Sequence, residues 1–395
     1  MSVRIILGRD ILIDVTRLVG RFMKGRLPTG VDRVSLAYVQ HYRQRARAVV
    51  RLAGLSFVLP KAESDQLFQW LLVPAGRLNV VIVIAKSLLL GWNKQRVAGC
   101  FLFNAGHSGL ELDAYPAMLR RQQVRPVFVV HDLIPITHPE YCRQGERKRH
   151  LARMNNLLAV ASGVIANSQA TSNELASFAE RAGQPLPRSV VALLGPGMSG
   201  ISPGKRPMAP PYFVILGTIE PRKNHWLLLH LWRGLVERLG QEAPRLVVIG
   251  QRGWEYANVV DLLDRSEHLK GFVEEHSICA DTELVTYLHH AQALLFPSFA
   301  EGYGMPLVEA LALGVPVIAS DLPVFREVAG EIPEYVDPLD GKRWSELVVE
   351  YARPDSQLRI AQLRRIVDFK VPTWADHFTK VDALLEQLGE PGSNE

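Results

Sequence analysis

Short apolar runs recur along this chain, separated by longer stretches in which apolar and charged positions mix at helical spacing. In the first half, runs at residues 3–7 or 11–15, 80–84, 100–103, 127–130 and 164–166 are predicted as buried strands. A glycine-rich loop is expected at 20–30, a helix at 31–44, and a surface helix with a basic start and an apolar end at 143–158. From 195 to 211 the pattern dissolves into prolines and glycines, which marks a linker. It then resumes with strands at 212–216, 245–249, 293–296 and 315–319, a run at 271–278, and helices at 224–239, 282–290 and 324–328. Alternating β and α segments predict α/β architecture: parallel, doubly wound sheets with helices on both faces, once in each half. An amphipathic helix at 373–388 is expected to pack back across the first domain, with a frayed tail at 389–395. The expected domains are 1–197 and 212–371, joined by 198–211 and followed by a crossover helix and tail at 372–395.

Length agrees with this division. A chain of 395 residues with 48% apolar content suggests two domains of roughly 150–200 residues, each with its own core. The cysteines at 100, 142 and 279 are odd in number and widely spaced, so neither a disulfide nor a metal pattern is present and a reducing, cytoplasmic setting is expected. The longest apolar stretch, 80–90, is broken by Lys86 and too short to span a bilayer. Arg4, Arg9 and Asp10 interrupt any signal-peptide core. The net charge of +5 conceals an asymmetry: residues 1–200 hold 26 Lys and Arg against 12 Asp and Glu, and the remainder 19 against 28. A basic first half suits an anionic partner, and a phospholipid surface at the inner face of the cytoplasmic membrane or a lipid diphosphate fits best. Nucleic acid is not expected, because no recognition motif is visible and the basic residues lack interleaved aromatics.

The densest chemistry lies at Phe296-Pro297-Ser298-Phe299-Ala300-Glu301-Gly302-Tyr303-Gly304-Met305-Pro306-Leu307-Val308-Glu309. A strand stops at Pro297, a loop carries Glu301 between small residues, and Pro306 sits where a helix begins. Glycines let a ligand approach the backbone, and the two carboxylates suit the hydroxyls of a ribose or sugar. Gly217-Thr218-Ile219-Glu220-Pro221-Arg222-Lys223-Asn224 likewise follows a strand and precedes a helix. Two adjacent cations before a helix N-terminus are what a departing diphosphate requires. In the first half, His131-Asp132 directly follows one strand and His107 lies just past another, positions that favour a binding role. Gly195-Pro196-Gly197-Met198-Ser199-Gly200 matches the dinucleotide glycine pattern, but Pro203, Pro207, Pro210 and Pro211 behind it prevent the helix which that site needs. No D-x-D tripeptide occurs, so a metal–diphosphate site is unsupported.

Taken in order, these segments resemble the GT-B retaining glycosyltransferases of family 4. The E-x7-E of Glu301 and Glu309 is the most recognisable signature. Thr29-Gly30-Val31-Asp32-Arg33, His131-Asp132-Leu133-Ile134-Pro135, Ala166-Asn167-Ser168-Gln169-Ala170-Thr171, Asp281-Thr282-Glu283-Leu284 and Pro316-Val317-Ile318-Ala319-Ser320 extend the likeness to the branch of bacterial mannosyl- and rhamnosyltransferases. The resemblance implies two Rossmann-like domains facing across a cleft. It implies retention of anomeric configuration, a GDP-sugar donor, and a glycan or lipid-diphosphate-glycan acceptor, with no metal and no other cofactor. It places Glu309 on the ribose, Arg222 and Lys223 on the diphosphate, and Glu301 with Gly302, Tyr303, Gly304 and Met305 at the donor sugar. Gly217, Thr218, Pro306 and Leu307 border the donor, His131 touches the transferred sugar or acceptor, and Gly30, Arg33, His107 and Asp132 lie on the cleft or acceptor side. Many relatives carry Arg where this chain has Thr218. That departure motivates a second reading, a non-catalytic nucleotide-sugar-binding subunit of a glycan assembly complex. An epimerase of the same architecture is a third reading, disfavoured by its different motifs.

Overall fold

A computed structural model of the chain describes residues 11–390 apart from Leu27, 53–54, 74–75, 90–96 and Ser199. The strand predicted at 3–7 and the tail beyond 390 lie outside the described residues. The chain forms two compact units. The first comprises residues 1–133, 148–194 and 374–395, and the second comprises 134–147 and 195–373.

The first unit is built on seven strands: β1 (Ile11–Asp14), β2 (Ala46–Leu52), β3 (Leu55–Val58), β4 (Phe101–Asn104), β5 (Arg125–Val130), β6 (Gly163–Ala166) and β7 (Ser189–Val191). Their order is β3-β2-β1-β4-β5-β6-β7. The second unit has six: β8 (Tyr212–Leu216), β9 (Arg245–Ile249), β10 (Val273–His276), β11 (Leu294–Phe296), β12 (Val317–Ser320) and β13 (Glu334–Val336), in the order β10-β9-β8-β11-β12-β13. Apart from the antiparallel β2–β3 pair, the pairings among the described residues are parallel. Each sheet reverses its winding once, between β1 and β4 and between β8 and β11. Connections leave a switch point in opposite directions and open a crevice beyond the carboxyl ends of the strands, where α/β sheets bind ligands.

Strands buried on both faces explain why the sequence pattern reads so cleanly here: β11, and β5 beyond Arg125, are unbroken apolar runs. The second core gathers Phe213, Val248, Leu295 and Ile318 from the sheet around Trp232 and Trp344. The C-terminal helix Trp374–Gly389 packs against β6 and β7 of the first unit, burying Phe378, Val381, Leu384, Leu385 and Leu388. His377 Nε2 lies 2.9 Å from the buried Tyr38 hydroxyl, and Asp382 accepts from Tyr42 and Arg45.

Two expectations need correction. The glycine-rich loop at 20–30 is helical at its start, because α1 (Thr16–Met23) runs through Gly20. Burial of Leu18 and Val19 holds it, and one glycine costs less than that packing returns. α2 (Gly30–Tyr42) and α3 (Lys61–Leu72) follow. The run at 80–84 is not a strand but part of α4 (Arg77–Leu89). Val80 and Val83 are buried while Val81 and Ile82 are exposed, a helical period that an uninterrupted apolar run cannot reveal. The β2–β3 hairpin went unseen because Arg47 and Arg51 interrupt its apolar positions. Among the described residues no helix is long and apolar enough to cross a membrane.

Candidate active site

The second unit builds its crevice from the loops that follow β8 and β11. Gly217 ends β8 with φ +146°, and a Cβ there would stand 3.1 Å from the stem of Lys223. Glycine at this point lets Lys223 fold back against the strand end. Pro221–Lys223 form a single 3-10 turn, Asn224 takes the left-handed conformation, and the helix His225–Leu239 begins behind it. After β11 the chain turns at Pro297, and the Phe299 N–H donates to the Arg222 carbonyl at 2.9 Å, tying the two loops together. Gly304 has φ +94°, and a Cβ there would fall 2.6 Å from the Phe325 ring, so glycine is required on two counts. The next helix, Met305–Ala312, starts with Pro306 in its first turn, as the sequence predicts.

These loops bring Arg222, Lys223 and Glu301 into contact. Glu301 accepts from Lys223 Nζ at 2.6 Å and pairs with Arg222 at 2.7 Å. Arg222 also grips Glu220 at 2.7 Å and donates to the Ala300 carbonyl at 2.7 Å. Lys223 Nζ stands 4.7 Å from the centre of the Phe296 ring. Burial opposes ionisation of the Glu301 carboxyl, but the two cations outweigh it and hold the group at about 2. Burial pushes the Lys223 ammonium down, against the pull of Glu301. The same desolvation raises Glu220 despite its arginine. The four charges sum to zero, so each cation already faces a carboxylate. Sequence reasoning missed Glu220 as a member of this cluster, and its place directly before Pro221 was the available signal.

Glu309 reaches a different partner. It is buried on the 305–312 helix, where its Oε1 accepts from the backbone N–H of Gly197 at 3.1 Å. The glycine pattern at 195–200 therefore meets the second glutamate of the E-x7-E pair, with no helix opening on it. Tyr303 and Leu307 are buried; Thr218, Gly302, Met305 and Pro306 are half-buried around the same loops.

The first unit holds a separate cluster at the ends of β4 and β5. His131 is buried with Nε2 at 2.7 Å from the Ala105 carbonyl, and its own carbonyl accepts from Asn167 Nδ2 at 2.9 Å. His107, at φ +54°, sets its Nε2 2.6 Å from the Val129 carbonyl. Its ring lies 5.5 Å from that of His131 and 6.2 Å from that of His150. Burial, and for His107 the neighbouring histidines, lower both pKa values. Both rings are thus neutral near pH 7, and a carbonyl opposite each Nε2 fixes the proton there, leaving Nδ1 as an acceptor. His150, which the sequence did not single out, sets its Nε2 3.2 Å from the carbonyl of the half-buried Asp132. Gly30 is the exposed first residue of α2, and Arg33 is half-buried in its first turn. Thr29 and Asp32 cap that helix, and Asp32 also receives Arg17 and Arg21, each at 2.8 Å. Among the described residues no group of three or more His, Cys, Asp or Glu is placed to hold a metal ion.

Residues 202–332 match the family described as glycosyl transferases group 1. The O-antigen chain mannosyltransferase B of Escherichia coli is 31% identical over 169 residues, covering 43% of this chain and 44% of that relative. A serotype-specific mannosyltransferase, WbdA, of Escherichia coli is 28% identical over 255 residues, covering 58% of this chain and 31% of that one. The chain thus spans less than half the length of these curated relatives. Among solved structures, Anabaena HepE in complex with UDP-glucose aligns over 98% of this chain and 100% of its own with a TM-score of 0.63 at 15% identity, a likeness of fold. The two parallel sheets are those of the GT-B fold, and the sequence likeness is to group 1 glycosyl transferases over residues 202–332 and to bacterial O-antigen mannosyltransferases over part of the chain.

Proposed function

We propose that this protein is a retaining glycosyltransferase that moves a hexose, mannose or a deoxyhexose, from a GDP-sugar to a lipid-linked or growing bacterial polysaccharide. The observation that carries this reading is the Arg222–Lys223–Glu301 cluster at the β8–β11 switch point. When the bond from the sugar's anomeric carbon to the diphosphate breaks, the electron pair stays on the phosphate oxygen. Two cations beside that oxygen stabilise the growing charge without a metal ion. In the structure they are held by Glu301, so an arriving diphosphate competes with that carboxylate for donors already in place. Released from one cation, Glu301 is free to accept from a sugar hydroxyl. Glu309 takes the ribose hydroxyls, and the backbone at 217–218 and 302–305 borders the donor. On the acceptor side the reading assigns His131, whose Nδ1 can accept from a sugar hydroxyl, with Gly30, Arg33, His107 and Asp132. The names of the mannosyltransferase relatives support the choice of sugar, and the basic first half supports work at the inner face of the cytoplasmic membrane.

A panel of GDP- and UDP-sugars, screened by thermal shift and then by transfer to a lipid-linked glycan, tests the proposal. Binding and transfer with GDP-mannose or a GDP-deoxyhexose are expected, undiminished by a chelator and with retention seen by NMR of the product. Transfer from UDP-sugars alone would replace the donor, inversion would remove the stereochemical assignment, and failure to bind any nucleotide sugar would overturn the reading.

A further inference from the structure

Helix α4 is apolar on two faces. Val80 and Val83 are buried in the first unit, as one stripe of a surface helix should be. The opposite side should then be polar, yet Leu78, Val81, Ile82 and Ala85 stand exposed there, at the spacing i, i+3, i+4 and i+7 of a single continuous stripe. Leu78 is 71% exposed and Ile82 53%. A scattered surface leucine means nothing, but an aligned row of four does.

The charge of these helices and of the first unit bears on what covers it. α4 packs against α1 and α3, and together the three helices carry Arg17, Arg21, Lys61, Arg77 and Lys86 against two carboxylates, Glu63 and Asp65. Glu63 is matched by Lys86 at 3.2 Å and Asp65 by Lys61 at 2.6 Å. Even with Asp32, which receives both arginines of α1, the group keeps a net charge of +2. The first unit as a whole contains 25 Lys and Arg against 15 Asp and Glu, a net of +10. A second copy of the same face would bring a like charge against this one. An exposed apolar row on a unit of net positive charge fits an anionic lipid surface, with the row in the headgroup–acyl boundary and cations of the unit at lipid phosphates.

We propose that the outer stripe of α4 docks the first unit on an anionic bilayer. This deepens the membrane placement within the proposed function and rests on that reading for its purpose, since a lipid-linked acceptor resides in such a surface. The test uses the full chain and vesicles of phosphatidylcholine, alone or with phosphatidylglycerol, in co-sedimentation at low and high salt. The parent is expected to sediment with the anionic vesicles, less so at high salt, and Ile82→Asp to weaken that binding at least tenfold. Leu78→Gln, a milder change at an exposed position, is expected to weaken it severalfold, and thermal melts confirm that both variants fold. Absence of parent binding, or equal binding by both variants, overturns the proposal. So does self-association of the parent that Ile82→Asp abolishes, because the row would then be a contact between copies. Vesicle binding needs no nucleotide sugar, and donor binding needs no vesicle. A failed docking surface and a failed glycosyltransferase reading are therefore seen in different measurements.

Discussion

Replacing Glu301 with Gln removes one negative charge and almost no volume from the centre of the candidate site. The carboxyl is held at about 2 against an ordinary 4.5, which at roughly 1.4 kcal/mol per tenfold change in proton affinity corresponds to about 3–4 kcal/mol at neutral pH. Its side chain is only 8% exposed, so solvent screening takes little of this away. Burial of Lys223 and Glu220 opposes the gain, and Glu220 remains in the variant to face Arg222, so a net loss of about 1–3 kcal/mol is expected at pH 7. For a unit of this size that corresponds to a fall in melting temperature of roughly 2–4 °C per kcal/mol. The pH dependence carries the diagnosis. A carboxyl whose folded pKa lies below its unfolded value contributes stability that is fully present above about pH 4.5 and lost as pH falls toward 2. Scanning calorimetry of parent and Glu301→Gln from pH 7 down to pH 3 should show a gap that narrows progressively below pH 4.5. A gap constant across that range, or a variant more stable than the parent at pH 7, would refute the charge argument.

Other consequences follow from the same geometry. Lys223→Ala should lower kcat by about 10²–10³-fold, as loss of a donor to developing charge does elsewhere, with a smaller change in donor KM; undiminished turnover would remove Lys223 from the diphosphate. Glu309→Ala leaves the Gly197 N–H without its carboxylate and should weaken nucleotide binding at least tenfold in calorimetry, and unchanged affinity would exclude the ribose assignment. Gly304→Ala combines a left-handed backbone with a methyl 2.6 Å from the Phe325 ring, and should cost about 2–4 kcal/mol in urea unfolding; a cost under about 1 kcal/mol would contradict the required close approach.

The α/β class, the C-terminal helix and the strand–loop–helix around Glu301 all follow from local pattern. Buried parallel strands are unbroken apolar runs, and Pro297, Pro306 and Gly304 punctuate the chain by their own backbone restrictions. Sequence alone also singled out Arg222, Lys223 and Glu301, because each lies just past a strand where α/β sheets bind ligands. What it left open is pairing. That Lys223 and Arg222 pair with Glu301, and that Glu309 is held by Gly197, are contacts between residues far apart in the chain. The grouping of His107, His131 and His150 is of the same kind. Local pattern failed at 80–84 for a related reason. An apolar run satisfies a strand and a helix equally, and only the packing of Val80 and Val83 against the first unit selects the helix and turns Val81 and Ile82 outward. Periodicity and backbone restriction act within a few residues and can be read along the chain, whereas charge pairing and burial act through space and are decided only when the sheets assemble.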